Sequence, residues 1–129
     1  MKIDHLGIAC KDIQLAKKQY LKLGYVTTKE LITDFTRNLD YIFMKNGSLT
    51  IELIAKHDLK YKSDIDIIVS QEKMIGNKMY HICYVSTDLI SDIKNFKSQG
   101  YKLIRPPSKA IACNNKTVAF LIHINFGII

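Results

Sequence analysis

Asp4-His5-Leu6-Gly7-Ile8-Ala9 and Tyr80-His81-Ile82-Cys83-Tyr84-Val85 are two strand-like runs with a histidine at the second position, 76 residues apart. The same spacing pairs Asp12-Ile13 with Asp88-Leu89, Gly24-Tyr25 with Gly100-Tyr101, and Tyr41-Ile42-Phe43 with Thr117-Val118-Ala119. One coincident histidine pair carries little information. Landmarks at a strand start, a helix start, a helix end and a later strand, all at one spacing, indicate two copies of one structural unit. A pseudo-two-fold arrangement of such copies would bring the two histidines together and makes a metal centre worth considering.

Outward from these runs, residues 2–9 form a strand by their small and β-branched content. Asp12 is placed as an N-cap, and Ile13, Ala16, Tyr20 and Leu23 follow at helical spacing until Gly24 stops the helix. Tyr25–Thr28 and Leu39–Lys45 read as strands, and Asn46-Gly47 signals a tight hairpin into Leu49–Ala55. The product is a βαβββ unit. The second copy runs as strand 79–86, cap Thr87 or Asp88, a helix through Phe96, stop Gly100 and strand Tyr101–Ile104. Pro106-Pro107 forces an extended loop, Ala110–Lys116 reads as a mobile connection, Thr117–His123 as a strand and Asn125–Ile129 as the start of a last strand. The expected fold class is α+β, with two βαβββ modules in a curved mixed sheet of eight strands. Module 1 spans residues 1–56 and module 2 residues 79–129 of a single domain. Residues 57–78 are a polar linker, with a short helix near Ile65–Gln71.

Composition narrows the function. The 47% hydrophobic content is that of a globular chain, and no apolar run approaches the roughly 20 residues of a membrane span. Met1-Lys2-Ile3-Asp4 begins a strand and lacks the apolar core of a signal peptide. Cys10, Cys83 and Cys113 are odd in number and form no CxxC, as expected of reduced thiols in the cytoplasm. The net charge is +7, yet only Arg37 and Arg105 are arginine and the lysines are scattered. A nucleic-acid surface would concentrate arginine in a stripe, so neither nucleic acid nor membrane is expected as a partner. An anionic small ligand is compatible with the charge, and so is a merely lysine-rich surface.

Strand alternation aims the candidate side chains. His5 shares a face with Ile3, Gly7 and Ala9, and His81 with Met79, Cys83 and Val85, so both imidazoles point inward. Either histidine alone is most simply a core residue with a backbone partner. As an equivalent pair they read as ligands, since neutral imidazole commonly binds divalent transition metals. Glu52 sits within Ile51-Glu52-Leu53-Ile54-Ala55 and either faces solvent or is buried beside a cation; burying an ionised carboxylate otherwise is very costly. Asp40 heads the strand Asp40–Met44, where a plain strand-end aspartate is the simpler reading. His57 and His123 read as loop or surface residues. Alignment of the last strands requires a short insertion in the second hairpin, after which Ile51 corresponds to Ile129 and the counterpart of Glu52 would fall one residue beyond it.

Taken together, "IDHLGIACKDI", "TIELIA", "MYHICYVSTDL", "GYKLI" and "KTVAFLIHINFGII" span nearly the whole chain and resemble the vicinal oxygen chelate superfamily. That superfamily includes glyoxalase I, methylmalonyl-CoA epimerase, extradiol dioxygenases and fosfomycin- or bleomycin-resistance proteins, and the likeness is greatest to the epimerases. The resemblance implies a divalent ion (Zn, Co, Ni or Mn) held by His5, Glu52 and His81; the fourth ligand of the family, a last-strand acid, has no counterpart up to Ile129. It also implies catalytic roles for Glu52 and, on the strand of a second acid–base carboxylate, Asp40. The activity implied is metal-assisted proton transfer α to a thioester carbonyl. Its alternatives are a lactoylglutathione lyase acting on thiol hemithioacetals and a non-catalytic drug-binding protein. The expected partners are an acyl-CoA or thiol-adduct substrate and a second copy of the chain, since exposed sheet edges favour association into a homodimer.

Overall fold

The computed structural model describes residues 1–67 and 75–129. By its contacts the chain divides into two compact units, one formed by His5–Tyr80 and one by Met1–Asp4 with His81–Ile129. Among the described residues each unit has four strands in mixed parallel and antiparallel pairing and one α-helix, the second unit adding a separate two-stranded pair, which is the α+β fold expected.

In the first unit the elements are β1 (Lys2–Ala9), α1 (Ile13–Lys22), β2 (Val26–Asp34), β3 (Leu39–Asn46) and β4 (Leu49–Lys56), with the strands side by side in the order β2-β3-β4-β1. Asp12 caps α1, its carboxylate accepting from the Leu15 N–H at 2.9 Å, and so satisfies a donor that the helix start would otherwise leave open. Gly24 ends the helix at φ +87°, a backbone conformation that side chains resist. The β3–β4 turn consists of Gly47-Ser48, with Gly47 at φ +57° and Asn46 paired to Leu49. The hairpin expected at Asn46-Gly47 is thus present, one residue later.

One face of this sheet packs on α1. Ile8, Cys10, Ile42, Met44, Ile51, Leu53 and Ala55 meet Ile13 and Ala16 there, with Leu6, Tyr20 and Tyr25 around them. Burial among these apolar groups pushes the Cys10 thiol up to about 12 from an ordinary value of 9.0.

The stretch after β4 is more ordered than its polar sequence suggests. Asn38, in the left-handed region at φ 56°, donates its amide to the Asp58 carbonyl at 2.9 Å and accepts from the Asp58 N–H at 2.9 Å. Arg37 binds Asp34 at 2.7 Å, Lys56 binds Asp66 at 2.9 Å, and Ile65 is fully buried in a short 3-10 turn, Asp64–Ile67. The helix expected at Ile65–Gln71 is therefore a single turn over its first residues, and its remainder lies outside the described residues.

The second unit contains β5 (Lys78–Val85), α2 (Leu89–Ser98), β6 (Lys102–Leu103), β7 (Ser108–Ala110), β8 (Lys116–Val118), β9 (Leu121–His123) and β10 (Gly127–Ile128). Strand order is β5-β10-β9-β6, while β7 and β8 pair separately. Asp88 caps α2 through the Ser91 N–H at 3.1 Å, as Asp12 caps α1. Phe96 stacks edge-on against Tyr101, repeating the Tyr20–Tyr25 contact of the first unit.

Two expectations are corrected here. Ala110–Lys116 is the bend of the β7–β8 hairpin: Ile111–Cys113 form a 3-10 turn, and Asn114 and Asn115, both left-handed, turn the chain back. Thr117–His123 is therefore two short strands, the first spent on β7 and the second paired with β6 and β10.

Leu53→Ala is expected to lower the free energy of unfolding by about 2–5 kcal/mol, as a cavity in a close-packed core does, measured by urea denaturation. The raised Cys10 thiol binds its proton more tightly in the folded than in the unfolded chain. Stability should then fall as pH rises from the ordinary thiol value of 9.0 toward about 12, with a shallower decline in Cys10→Ala over pH 8–11.

Candidate metal centre

β1 lies parallel to β4 with Leu6 opposite Ile51 and Gly7 opposite Glu52. Side chains alternate across a sheet, so Leu6 and Ile8 go to α1 with Ile51 and Leu53. His5 and Gly7 go to the other face with Glu52. The direction of Glu52, which its own strand left open, is settled by this register. His5 is 2% exposed and Glu52 4%, and His5 Nε2 stands 3.6 Å from Glu52 Oε2.

That distance is long for a hydrogen bond. It is close to the edge of a tetrahedron around an ion with nitrogen and oxygen ligands at about 2.1 Å, which is roughly 3.4 Å. Gly7 adds no side chain beside Glu52. On the next strand Phe43 stands opposite Glu52, and the His5 ring meets the Phe43 ring edge-on, centroids 5.4 Å apart at 84°. This contact holds the imidazole plane while its nitrogen faces the carboxylate. A buried imidazole and a buried carboxylate on one face, with an aromatic wall, are a donor set suited to a divalent transition ion.

Tyr41 belongs to this face as well. It pairs with Ile54, two residues beyond Glu52, and is buried. Burial first, then the negative charge of Glu52, hold its phenol far above the ordinary tyrosine value, so it is a hydrogen-bond donor throughout the physiological range. Sequence reasoning missed Tyr41. The β3–β4 register places it, and a single strand does not reveal register.

In the second unit His81 is buried on β5, with Ile128 opposite it on β10 and Phe120 edge-on to its ring at 5.7 Å and 89°. Each histidine therefore has a phenylalanine edge-on to it. The expected equivalence of Phe43 with Ala119 is corrected to Phe120. Thr27 pairs with Met44 in one unit and Leu103 with Leu121 in the other, so an extra residue has entered between the second and third strands of the second copy. The alignment of the last strand agrees with the structure. Ile128 opposite His81 sets Ile129 beside Ile82, as Ile51 stands beside Leu6.

Asp40 is not brought to Glu52. Its partner across the hairpin is Ala55, which faces α1, so its side chain leaves from the face opposite Glu52. Its carboxylate accepts from the Thr33 hydroxyl at 2.6 Å and lies 3.1 Å from His57 Nδ1. The expected catalytic role for Asp40 is corrected to a structural one, because strand parity places it on the other side of the sheet. Glu30 is held by Lys17 of α1 at 2.7 Å, and His123 packs between Tyr101 and Phe126.

The profile of the Glyoxalase/Bleomycin resistance protein/Dioxygenase superfamily matches residues 4–120. The chain belongs to this superfamily. Its fold is shared with a hypothetical protein from Bacillus halodurans, at 24% identity and a TM-score of 0.76 over 93% of this chain and 83% of the other. A methylmalonyl-CoA epimerase from Mycobacterium tuberculosis is similar at 24% identity and a TM-score of 0.73, over 93% and 77%. A variant of the Streptomyces coelicolor methylmalonyl-CoA epimerase, in complex with 2-nitronate-propionyl-CoA, matches at 18% identity and 0.73, over 94% and 86%. No curated protein matches the sequence. No helix among the described residues is long and apolar enough to cross a membrane.

Asp40→Asn should cost about 1 kcal/mol of stability, the worth of a typical hydrogen bond, and leave the His5–Glu52 pair intact. Urea denaturation with a metal titration on the same samples checks both halves.

Proposed function

We propose that His5, Glu52 and His81 hold one divalent ion of the Zn, Co, Ni or Mn type, and that the protein moves a proton at the carbon α to a thioester carbonyl. Epimerisation of methylmalonyl-CoA is the reaction of this kind that we favour. The observation that carries the reading is the buried His5–Glu52 pair at 3.6 Å on one face of the first unit. His81, buried on the equivalent strand of the second unit with its own edge-on phenylalanine, supports a third ligand of the same kind. Superfamily membership and the epimerases among the similar structures favour the reaction.

A divalent ion in this place supplies a Lewis acid for the carbonyl oxygen of the substrate. The chain's own residues do the rest. Glu52, buried among apolar neighbours, accepts the α proton at a carboxylate oxygen and later gives it up to solvent, while a solvent proton delivered to the opposite face of the planar α carbon completes the epimerisation. Tyr41 keeps its proton and donates a hydrogen bond toward the same face. Ala9, Phe43 and Ile54 share that face and make its walls apolar. In this reading the two units act as a single domain, and the protein is a cytoplasmic homodimer whose substrate is an acyl-CoA or another thiol adduct.

His5→Ala and His81→Ala should each abolish metal binding, read by cobalt titration, together with solvent deuterium exchange at the α-carbon of methylmalonyl-CoA. Glu52→Gln should be milder on the metal, since an amide oxygen still coordinates, and severe on exchange. Full exchange by metal-stripped His81→Ala would refute the mechanism. Absence of exchange with every acyl-CoA, beside turnover of the methylglyoxal hemithioacetal, would reassign the protein to lactoylglutathione lyase chemistry.

A further inference from the structure

β2 departs from regular pairing twice, and both irregularities bracket one lysine. Thr27 stands opposite Met44, whose side chain is in the α1 core; regular alternation would then set Thr28 opposite Phe43. A bulge intervenes, and Lys29 takes that place instead. A second bulge follows before Ile32 pairs with Tyr41. Each bulge inserts a residue and re-aims what comes next, a device found often beside active sites. Between the two, Lys29 is turned to the face of Tyr41, Phe43 and Glu52, and its neighbour Glu30 reaches Lys17 of α1 at 2.7 Å.

The ammonium is placed as well as aimed. Lys29 Nζ lies over the Phe43 ring, 4.9 Å from the centroid, while the His5 imidazole meets the edge of that same ring at 5.4 Å. A cation over an aromatic face is held by the ring quadrupole, and a half-buried lysine can pack its aliphatic stem on apolar surface. One phenyl ring thus separates a half-buried cation from the His5–Glu52 pair. We infer that Lys29 is a specificity-determining residue that binds a carboxylate of the substrate, so that the substrate class is an acyl compound bearing an anionic group close to the reacting carbon. This rests on the proposed site at His5 and Glu52. The charge-assisted bond from ammonium to carboxylate would orient the substrate across the Phe43 ring. A neutral acyl group would lack that anchor.

Malonate is the probe, titrated calorimetrically into cobalt-loaded wild type, Lys29→Met and Lys29→Arg, with monomethyl malonate as the control. The cobalt isotherm of each protein is recorded first. Lys29→Met should bind cobalt as wild type does and lose at least tenfold in malonate affinity, while Lys29→Arg keeps most of it and monomethyl malonate is much less affected. Equal malonate affinity in wild type and Lys29→Met would overturn the assignment. So would an equal loss for the monoester, or failure of wild type to bind malonate. Should wild type bind no cobalt, the metal reading falls separately, and the same comparison in metal-free protein decides the role of Lys29.

Discussion

A carboxylate within an apolar strand governs the first unit. Glu52 is flanked by Ile51 and Leu53, which are fixed in the α1 core, so alternation sends it to the opposite face whatever the cost. An isolated buried carboxylate would be severely destabilising, and the chain meets it with the His5 imidazole on the neighbouring strand. Parallel pairing of β1 with β4 is what makes the meeting possible. The hydrophobic pattern that packs α1 and the polar pair on the reverse face are thus consequences of one register, and a one-residue slip of β1 would spoil both at once.

Much of this was legible in the residues. The aspartates at 12 and 88 and the glycines at 24 and 100 mark helix ends through chemistry that operates within a few residues, and both helices lie where those marks put them. His5, Glu52 and His81 were legible as candidates because polar groups at inward strand positions are rare enough to notice. What could not be read depended on partners distant in sequence. Asp40 and Tyr41 are adjacent, and only the register with β4 reveals that they leave the sheet on opposite faces. Phe120 was hidden by a single extra residue in the second copy, which a fixed spacing cannot absorb.

Bulges are a further limit. The alternation of β2, taken from the residues alone, gives Lys29 no reason to face Phe43, since neither irregularity has a residue signature as plain as an Asn-Gly turn. The order in residues 57–67 was likewise invisible, because it comes from the left-handed Asn38 reaching across to Asp58 rather than from any periodicity in the segment itself.

The β3–β4 hairpin closes through a two-residue turn, whereas the β1–β4 pairing joins segments more than forty positions apart in the chain. Short-range pairings form early and distant ones wait on the loss of chain entropy. The His5–Glu52 pair is therefore expected to come together late on the folding route, after the hairpin that carries Glu52. Interactions absent from the transition state act on the rate of unfolding rather than of folding. Whatever occupies the space between these two side chains would thus lengthen the lifetime of the native state and leave the speed of its formation nearly unchanged.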